Sequence, residues 1–387
     1  MIDMDRPAVA RMLTAMPVLR TRARTRMVQQ LLADATVSAR TSRRQRTRFY
    51  QDLWRAAADD LGATVSPAPN EALDIALGSH RVRVNGTHCS IDGPDVLDFA
   101  GNKPVVGRLM AEAGLPVAPH RVFTLSTLDE AQRFLADAHR ACVVKPAVNT
   151  AAGRGVTTGV QGCPQLVRAA AAAAAAGARV RRPGPPLQRL RELFRDLEEV
   201  PLLIEHQIAG ANYRLLYLDG ELIDAIRREP PTVIGDGRAT IARLIAAHNE
   251  ERLRSSGPHA LNLVSVDVEL TQNLSRQGLR PTDVPLPGRR VQLKTTVNEN
   301  PPECNHPARG ELCDALIDQA ARAASIVGAR LAGVDVITHR PGQALTGSTG
   351  CILEVNTTPG LAMHHHGHPG AVEPATVILR HLAAGRT

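Results

Sequence analysis

Residues 351–370 read CILEVNTTPGLAMHHHGHPG and hold two sets of side chains that suit different metals. Glu354 and Asn356 supply hard oxygen donors, which suit Mg²⁺. Residues 364–368 carry four histidines, whose imidazoles suit Zn²⁺ or another transition metal. Adjacent histidines on an irregular segment rarely all reach one ion, and no second His/Cys cluster in the sequence completes a zinc set. The sequence therefore favours Mg²⁺ beside Glu354.

Two alternating segments place three oxygen donors on one face of a predicted β-hairpin. Residues 331–339 and 351–358 read LAGVDVITH and CILEVNTT, and residues 340–350 form the connecting loop. Successive side chains of a strand point to opposite faces, so Asp335, Glu354 and Asn356 are expected to project into one site. On the second strand the same alternation places Ile352 beside Glu354 and puts Leu353 on the opposite face.

The donor cluster has two interpretations. No cation lies beside Asp335 or Glu354 in the local sequence, so the two carboxylates are costly to gather unless a cation sits among them. Two carboxylates and an amide match a magnesium ion that is shared with phosphate oxygens. The alternative is a polar strand face that is exposed to solvent.

Upstream segments have residue types that bind anions. In VVKPAVNTAAGRGV, Lys145 ends an apolar strand and precedes a loop of small residues with Gly153, Arg154 and Gly155. Glycine lets backbone N–H groups approach phosphate oxygens, and lysine supplies a point charge. Lys103 begins a predicted helix, whose N-terminus also favours anions. Each signal is weak alone, because glycine-rich turns often follow strands.

Composition narrows the class of protein. The 387 residues predict two or three packed subdomains, and 43% hydrophobic with 22% charged residues is typical of a globular chain. No apolar run reaches the roughly 20 residues of a membrane span, and the N-terminus lacks a basic cap before an apolar core, so a cytoplasmic protein without membrane partners is expected. The six cysteines form no CxxC pair, which predicts reduced thiols.

The N-terminus is basic, and the whole chain has a net charge of +8. Nine arginines lie between Arg20 and Arg48, without interleaved aromatic residues or a helix-turn-helix or RNA-binding pattern. Solvated helix faces or a contact in a homodimer are favoured over binding to nucleic acid.

Taken in order, these motifs resemble the ATP-grasp superfamily, in particular the ATP-grasp part of cyanophycin synthetase and of bifunctional glutathione synthetase. The resemblance covers roughly residues 95–370. It rests on the ordered set Lys103, Lys145-Pro146, Gly153-Arg154-Gly155, Glu205, Arg214, Gly235-Asp236-Gly237, Asp335 and Glu354-Val355-Asn356.

The resemblance implies an α/β fold with two lobes that grip ATP, preceded by an N-terminal accessory domain. The expected boundaries are residues 1–95 for the basic accessory domain, 96–206 for the N-lobe and lid, and 207–387 for the C-lobe with its metal site. It also implies a reaction: ATP activates a carboxylate as an acyl phosphate, an amine attacks it, and an amide, ADP and phosphate result.

Site roles follow from the same resemblance. It assigns phosphate contacts to Lys103 and Lys145, and the loop over the phosphates to Gly153, Arg154 and Gly155. It places Glu205 at the adenine hinge, Asn212 at the ribose, and Arg214 and Arg228 at the transferred phosphoryl and acyl groups. One or two Mg²⁺ ions, replaceable by Mn²⁺, are expected at Asp335, Glu354 and Asn356. Asn212 falls where the pattern usually has an acid. His364 is expected near the acceptor or product end of the cleft.

The segment LKTTVNENPPECNH, residues 294–306 with the preceding leucine, departs from the usual glycine-rich loop. Lys294 and Asn298 in it are candidate catalytic residues of an altered acceptor pocket. The sequence favours a ligase that joins small carboxylates and amines, amino acids above all, in secondary metabolism. The alternatives are a cyanophycin- or glutathione-type ligase of primary metabolism, and a non-catalytic polyanion-binding protein on the same scaffold.

Overall fold

The computed structural model describes residues 6–34, 36–148, 150, 153–178, 196–255, 262–365 and 373–384. The helices are α1 (Arg6–Asp34), α2 (Val37–Asp60), α3 (Pro94–Ala100), α4 (Lys103–Glu112), α5 (Leu128–Ala138), α6 (Cys163–Gly177), α7 (Ile241–Arg254), α8 (Val268–Arg276), α9 (Asp314–Val327) and α10 (Pro374–Ala383). The strands are β1 (Thr64–Pro67), β2 (Leu73–Leu77), β3 (His80–Asn85), β4 (His88–Cys89), β5 (His120–Phe123), β6 (Cys142–Pro146), β7 (Thr157–Val160), β8 (Leu202–His206), β9 (Ala211–Leu218), β10 (Glu221–Arg228), β11 (Thr232–Ile234), β12 (Arg290–Gln292), β13 (Asn305–Pro307), β14 (Leu331–Thr338) and β15 (Gly350–Asn356). The prediction of a mixed helix and sheet fold is confirmed.

A five-stranded sheet in the order β13-β10-β9-β14-β15 carries most of the site. Its β9–β10 hairpin turns at Asp219-Gly220, where both residues have positive φ. On one face Tyr217 and Val334 are buried with Leu316 of α9. On the other face Leu216 and other apolar residues cover only part of the surface. The remainder of that face is therefore available for polar side chains.

An N-terminal unit covers the apolar part of this second face. It combines α2 and the sheet β1-β2-β3-β4 with α10, and it buries Tyr50, Trp54 and Ile75 in the same core as Leu216. The indole of Trp54 donates a hydrogen bond to the carbonyl of Gly86 at 3.0 Å. The accessory residues thus form one wall beside the polar part of the sheet.

A second sheet, β5-β8-β6-β7, forms the other lobe with α5 and α6. The oligo-alanine segment forms α6, and its small side chains let α1 pack closely against it. Leu19, Ala23 and Met27 of α1 are buried in this core. We call β5–β8 with α5 and α6 the nucleotide lobe. The two N-terminal helices therefore connect it with the five-stranded sheet.

Removing residues 1–48 is expected to destabilise the chain, because it uncovers the alanine face of α6 and cuts α2. The variant should melt at lower temperature and associate through the exposed apolar surface, while its affinity for polyanions stays unchanged. Thermal melting, light scattering and RNA or DNA titration measure these properties, with a variant lacking only residues 1–5 as the control. Tight nucleic-acid binding that is lost on the deletion would overturn this account of the basic N-terminus.

A small module follows β10. The two-stranded sheet β11-β12 packs on α7 and α8 around Ile241, Leu270 and Val291. All six cysteines are free thiols. Among the described helices, none combines the length and the apolar character that crossing a membrane requires.

Candidate active site

Three neighbouring strands bring the central charged residues into line. In the register of the sheet, Asp335 of β14 lies opposite Arg214 of β9 on one side and Glu354 of β15 on the other. Side chains directly opposite each other on antiparallel strands are within contact distance. The predicted antiparallel pairing of residues 331–339 with 351–358 is confirmed by β14 and β15, and it gathers these groups on the polar part of the face.

Asp335 has a cationic partner that the local sequence does not reveal. Arg214 donates from Nε to Oδ1 and from a terminal nitrogen to Oδ2, both at 2.7 Å. Burial alone would raise the pKa of Asp335, but the charge and hydrogen bonds of Arg214 outweigh it and lower the pKa. The cation beside Asp335 therefore comes from the adjacent strand and not from the local sequence.

Asn356 links the two carboxylates. Its side-chain amide donates to Asp335 Oδ2 at 3.1 Å and to Glu354 Oε1 at 3.2 Å. Glu354 also lies within electrostatic range of Lys145, Arg214 and Arg228. Its negative charge acts to raise the pKa of each, although other groups lower the pKa of Arg228 overall. The three predicted metal ligands thus lie together, with Glu354 at the centre of a positively charged surround.

A β-bulge changes the predicted facing of the residues before Glu354. The register shifts so that Glu354 pairs with Asp335 while Ile352, two residues earlier, pairs with Val336. Ile352 is therefore buried in the core with Val336, and Leu353 is the extra residue, so the predicted faces of these two residues are wrong. Leu353 instead packs at a small apolar cluster with Ala118.

That apolar cluster is a site feature that sequence reasoning missed. It contains Ala118, Ile337 and Cys351, with Ile208 and Leu353 packed against it. Burial, followed by the charge of Glu205, raises the pKa of the Cys351 thiol to about 12, while the charge of Lys145 acts in the opposite direction. Cys351 therefore lies near both Lys145 and Glu205. An apolar surface beside a lysine and a glutamate can receive a flat aromatic ring with polar edges.

Lys145 and Glu205 form a buried ion pair in the nucleotide lobe. Lys145 Nζ lies 2.7 Å from Glu205 Oε1. Burial alone would lower the pKa of Lys145, yet the charges of Glu205 and Glu354 outweigh burial and raise it. Lys103 is the first residue of α4, as predicted, and its Nζ donates to the carbonyl of Thr150 at 3.4 Å. The two lysines therefore flank the segment that leads to the glycine loop.

The glycine loop approaches Asn298. Gly153 and Gly155 have φ of +68° and +74°, and Arg154 between them is exposed. A Cβ on Gly153 would lie 2.4 Å from Asn298 Nδ2, and the positive φ of Gly153 favours glycine at this position. The structure thus brings the predicted phosphate loop against Asn298 of the predicted acceptor pocket.

Arg228 connects this segment to the carboxylates. Its terminal nitrogen donates to the carbonyl of Val297 at 3.0 Å and to Asn298 Oδ1 at 3.3 Å, and its other terminal nitrogen lies 3.9 Å from Asp335. Burial, followed by the nearby charge of Arg214, lowers the pKa of Arg228 to about 10. Its Nε is buried and has no hydrogen-bond partner among the described residues. Such an N–H donor suits an anionic oxygen.

Asn212 and Lys294 are placed differently. Asn212 is half-buried and pairs in register with Arg228, so it lies at the edge of the site. Lys294 is buried, and its amine contacts Asp267 at 2.8 Å, Glu299 at 2.7 Å and Ser265 at 2.9 Å. These three acceptors use all three N–H donors, so Lys294 holds the module together in this arrangement and does not join the carboxylate cluster.

The histidines do not form a common site in the described part of the chain. His364 is fully buried, and its Nδ1 lies 2.7 Å from Asp224 Oδ2. His365 pairs with Glu373 at 2.5 Å. Histidines 366 and 368 lie outside the described residues. Among the described residues, no group of three or more His, Cys, Asp and Glu side chains could hold a metal ion.

Replacing His365, His366 and His368 together with alanine is expected to leave magnesium-dependent ATP turnover within about tenfold, less than roughly 1.4 kcal/mol of transition-state stabilisation. The chain should also keep its activity in a zinc-selective chelator when magnesium is in excess. Steady-state kinetics with metal analysis of the purified protein test this. An inactive triple variant with stoichiometric zinc in the unmodified protein would contradict a magnesium site.

The donor set fits a hard divalent cation. Asp335, Glu354 and Asn356 offer carboxylate and amide oxygens on adjacent strands, and magnesium accepts few protein ligands when phosphate oxygens complete its shell. Arg214 occupies one side of Asp335. Glu354 is half-buried and has no hydrogen-bonded arginine among the described residues, so it would be the main anionic ligand. Bound there, magnesium would neutralise phosphate charge.

Comparisons with known proteins agree on one group. The chain is 28% identical over 351 residues to cyanophycin synthetase of Trichormus variabilis, a match that covers 86% of this chain and 35% of that protein. It is 28% identical over 327 residues to the glutathione biosynthesis bifunctional protein GshAB of Mannheimia succiniciproducens, which covers 82% and 40%. The chain thus spans about a third to two fifths of the length of these relatives. No family model matches the chain.

A solved structure supports the fold. The bifunctional glutathione synthetase from Pasteurella multocida superposes with a TM-score of 0.50 at 22% identity, over 86% of this chain and 44% of that one. The predicted α/β fold of the ATP-grasp type is therefore confirmed. Sequence and fold together support a relationship between this chain and the ATP-grasp superfamily.

Proposed function

We propose that this chain is an ATP-dependent carboxylate–amine ligase. The carboxylate oxygen of one substrate attacks the γ-phosphorus of ATP, and ADP leaves with the electrons of the broken P–O bond. The amine of the second substrate attacks the acyl phosphate, inorganic phosphate leaves, and the amine loses a proton to form the amide. The observation that carries the proposal is the line of Arg214, Asp335 and Glu354 across three neighbouring strands, with Arg228 3.9 Å from Asp335.

The residues of this chain act mainly by positioning charge, which is what phosphoryl transfer requires. Lys103 and Lys145 bind the phosphates, and Gly153, Arg154 and Gly155 approach them with backbone N–H groups. Magnesium held by the Glu354 cluster, one ion or two, neutralises charge on the phosphates. ATP and Mg²⁺ are thus the cofactors of the proposal, and Mn²⁺ is expected to replace Mg²⁺.

Buried arginines serve the transferring groups. The unpartnered Nε of Arg228 is the donor available to an acyl or phosphoryl oxygen, while Arg214 stays fixed by Asp335. Asn298 would contact the second substrate beside Arg228. Glu205 and Asn212 would contact the base and ribose, with Leu353 under the base. A catalytic role for Lys294 would require its amine to leave three hydrogen-bond acceptors. We therefore assign Lys294 to holding residues 294–300 in place.

The substrates in this proposal are a small carboxylate and an amine, most simply two amino acids, in cytoplasmic secondary metabolism. We place the accessory domain at 1–95, the N-lobe and lid at 96–206 and the C-lobe at 207–387. The N-terminal unit is available for a homodimer. Matches of 28% identity to both cyanophycin and glutathione proteins do not separate primary from secondary metabolism, so a primary-metabolism ligase is the second candidate.

A screen for phosphate release with amino acids in pairs tests the proposal, with mass spectrometry of the products. ADP is expected to form only when a carboxylate and an amine are both present, in proportion to the amide. AMP and pyrophosphate as products would reject the acyl-phosphate route. Absence of magnesium-dependent nucleotide binding would reject the ligase and favour a non-catalytic scaffold.

A further inference from the structure

The outer edge of the nucleotide lobe is covered by side chains instead of another strand. β7 (Thr157–Val160) is the edge strand of its sheet, and an edge strand presents unpaired backbone groups. Helix α8 (Val268–Arg276) of the small module lies along it. Gln272 and Arg276 donate to the carbonyl of Thr158 at 3.0 and 2.9 Å. The small module therefore docks on the lobe through specific hydrogen bonds.

Glu269 is the centre of this contact. Its carboxylate is 2% exposed and accepts hydrogen bonds from the backbone N–H of Thr158 at 2.7 Å and from the Thr158 hydroxyl at 2.9 Å. It also accepts from the backbone N–H of Thr295 at 3.1 Å. A buried carboxylate is costly unless donors surround it. The three hydrogen bonds to Glu269 therefore depend on one another. One side chain thus joins the lobe to the start of residues 294–300.

Residues 294–300, which we call the acceptor segment, are also tied to the catalytic sheet. Arg228 of β10 donates to the Val297 carbonyl and to Asn298, while Arg252 of α7 in the small module donates to the Glu299 carbonyl at 3.2 Å. The segment is therefore held between the nucleotide lobe, through Glu269, and the sheet, through Arg228. A movement of the lobe away from the sheet would have to break contacts at one end of the segment.

We propose that Glu269 is a positioning residue that couples the nucleotide lobe to the acceptor segment. Docking of the lobe at α8 and placement of Asn298 beside Arg228 then occur as one event. The functional consequence rests on the proposed ligase: the pocket for the second substrate is complete only when the lobe that holds the nucleotide is docked. The coupling itself is a property of the chain without substrate.

Amide hydrogen exchange of the chain without ligands tests the coupling directly. Thr158→Val removes one donor to Glu269 on the lobe side and touches no residue of the acceptor segment. We expect amide exchange of residues 294–300 to accelerate about tenfold, because the variant loses a hydrogen bond to a buried charged group. Glu250→Gln, an exposed change on α7, is the control and should leave that exchange unchanged. Faster exchange confined to residues 157–160 would overturn the proposal.

A second arm uses Mg²⁺ with a non-hydrolysable ATP analogue. In the unmodified chain and in the Glu250→Gln variant, the nucleotide should slow exchange of residues 294–300 by about fivefold or more. In Glu269→Gln, whose amide cannot accept all three hydrogen bonds, the nucleotide should bind but no longer protect that segment. Equal protection in Glu269→Gln would overturn the coupling. Failure of the unmodified chain to bind the nucleotide would overturn the ligase proposal, while the ligand-free experiment would still decide the coupling.

Discussion

Glu354→Gln is expected to lower magnesium-dependent turnover roughly 100- to 10,000-fold while the fold survives. Glutamine keeps the size and hydrogen-bonding capacity of the side chain, so the bond from Asn356 can persist. It removes the charge that would fix the ion among Lys145, Arg214 and Arg228, and magnesium binding should fail first. Turnover measured as a function of magnesium concentration, together with calorimetric titration of Mg²⁺ and nucleotide, shows both effects.

The matched control is Glu221→Gln, the same chemical change at an exposed position on β10 of the same sheet. It should leave turnover and magnesium dependence unchanged. Both variants should melt close to the temperature of the unmodified chain. An active Glu354→Gln variant with normal magnesium dependence would remove the metal assignment and with it the main physical support for the ligase.

Arg214→Met is expected to destabilise the chain by about 3–5 kcal/mol at neutral pH and to abolish turnover. The change leaves Asp335 buried on the sheet without its bidentate partner, and uncompensated buried charge is costly. Denaturant unfolding measures the loss. Arg83→Met is the control, because Arg83 makes the same bidentate contact with Asp74 at the surface, where solvent screens the pair. The denaturant midpoint of Arg83→Met should stay close to that of the unmodified chain.

The pH dependence of this difference has a definite sign. The folded chain holds the pKa of Asp335 below its ordinary value of 3.8, so its stabilising contribution is present above about pH 4 and is lost as pH falls through the folded pKa. Without Arg214, burial favours the neutral acid. The stability gap between the unmodified chain and Arg214→Met should therefore narrow from pH 7 to pH 4. A gap that stays constant over this range would show that the pair does not control the stability.

The sequence was sufficient for the elements that local patterns determine. Alternation in residues 331–339 and 351–358 predicted the hairpin that carries Asp335 and Glu354. Lys145 at the end of an apolar strand also agrees with the structure. These features depend on side-chain period, which a short segment contains.

Features that depend on register could not be predicted in this way. The bulge that moves Leu353 out of line arises from pairing with β14, and it is not visible in the period of β15 alone. The Arg214–Asp335 pair joins residues 121 positions apart. The surroundings of the Lys294 amine, which are Asp267, Glu299 and Ser265, also come from tertiary packing and are not visible in the sequence. Glu269 has no sequence signal, since its partners come from two other segments.

The most direct test of the central claim follows the carboxylate oxygens. For a substrate pair found in the screen, the carboxylate is labelled with ¹⁸O at both oxygens and the phosphate and amide are analysed by mass spectrometry. An acyl-phosphate route through the Glu354 site predicts one ¹⁸O in inorganic phosphate and one in the amide, in a reaction that releases ADP. Label in AMP, or phosphate without label, would contradict the account.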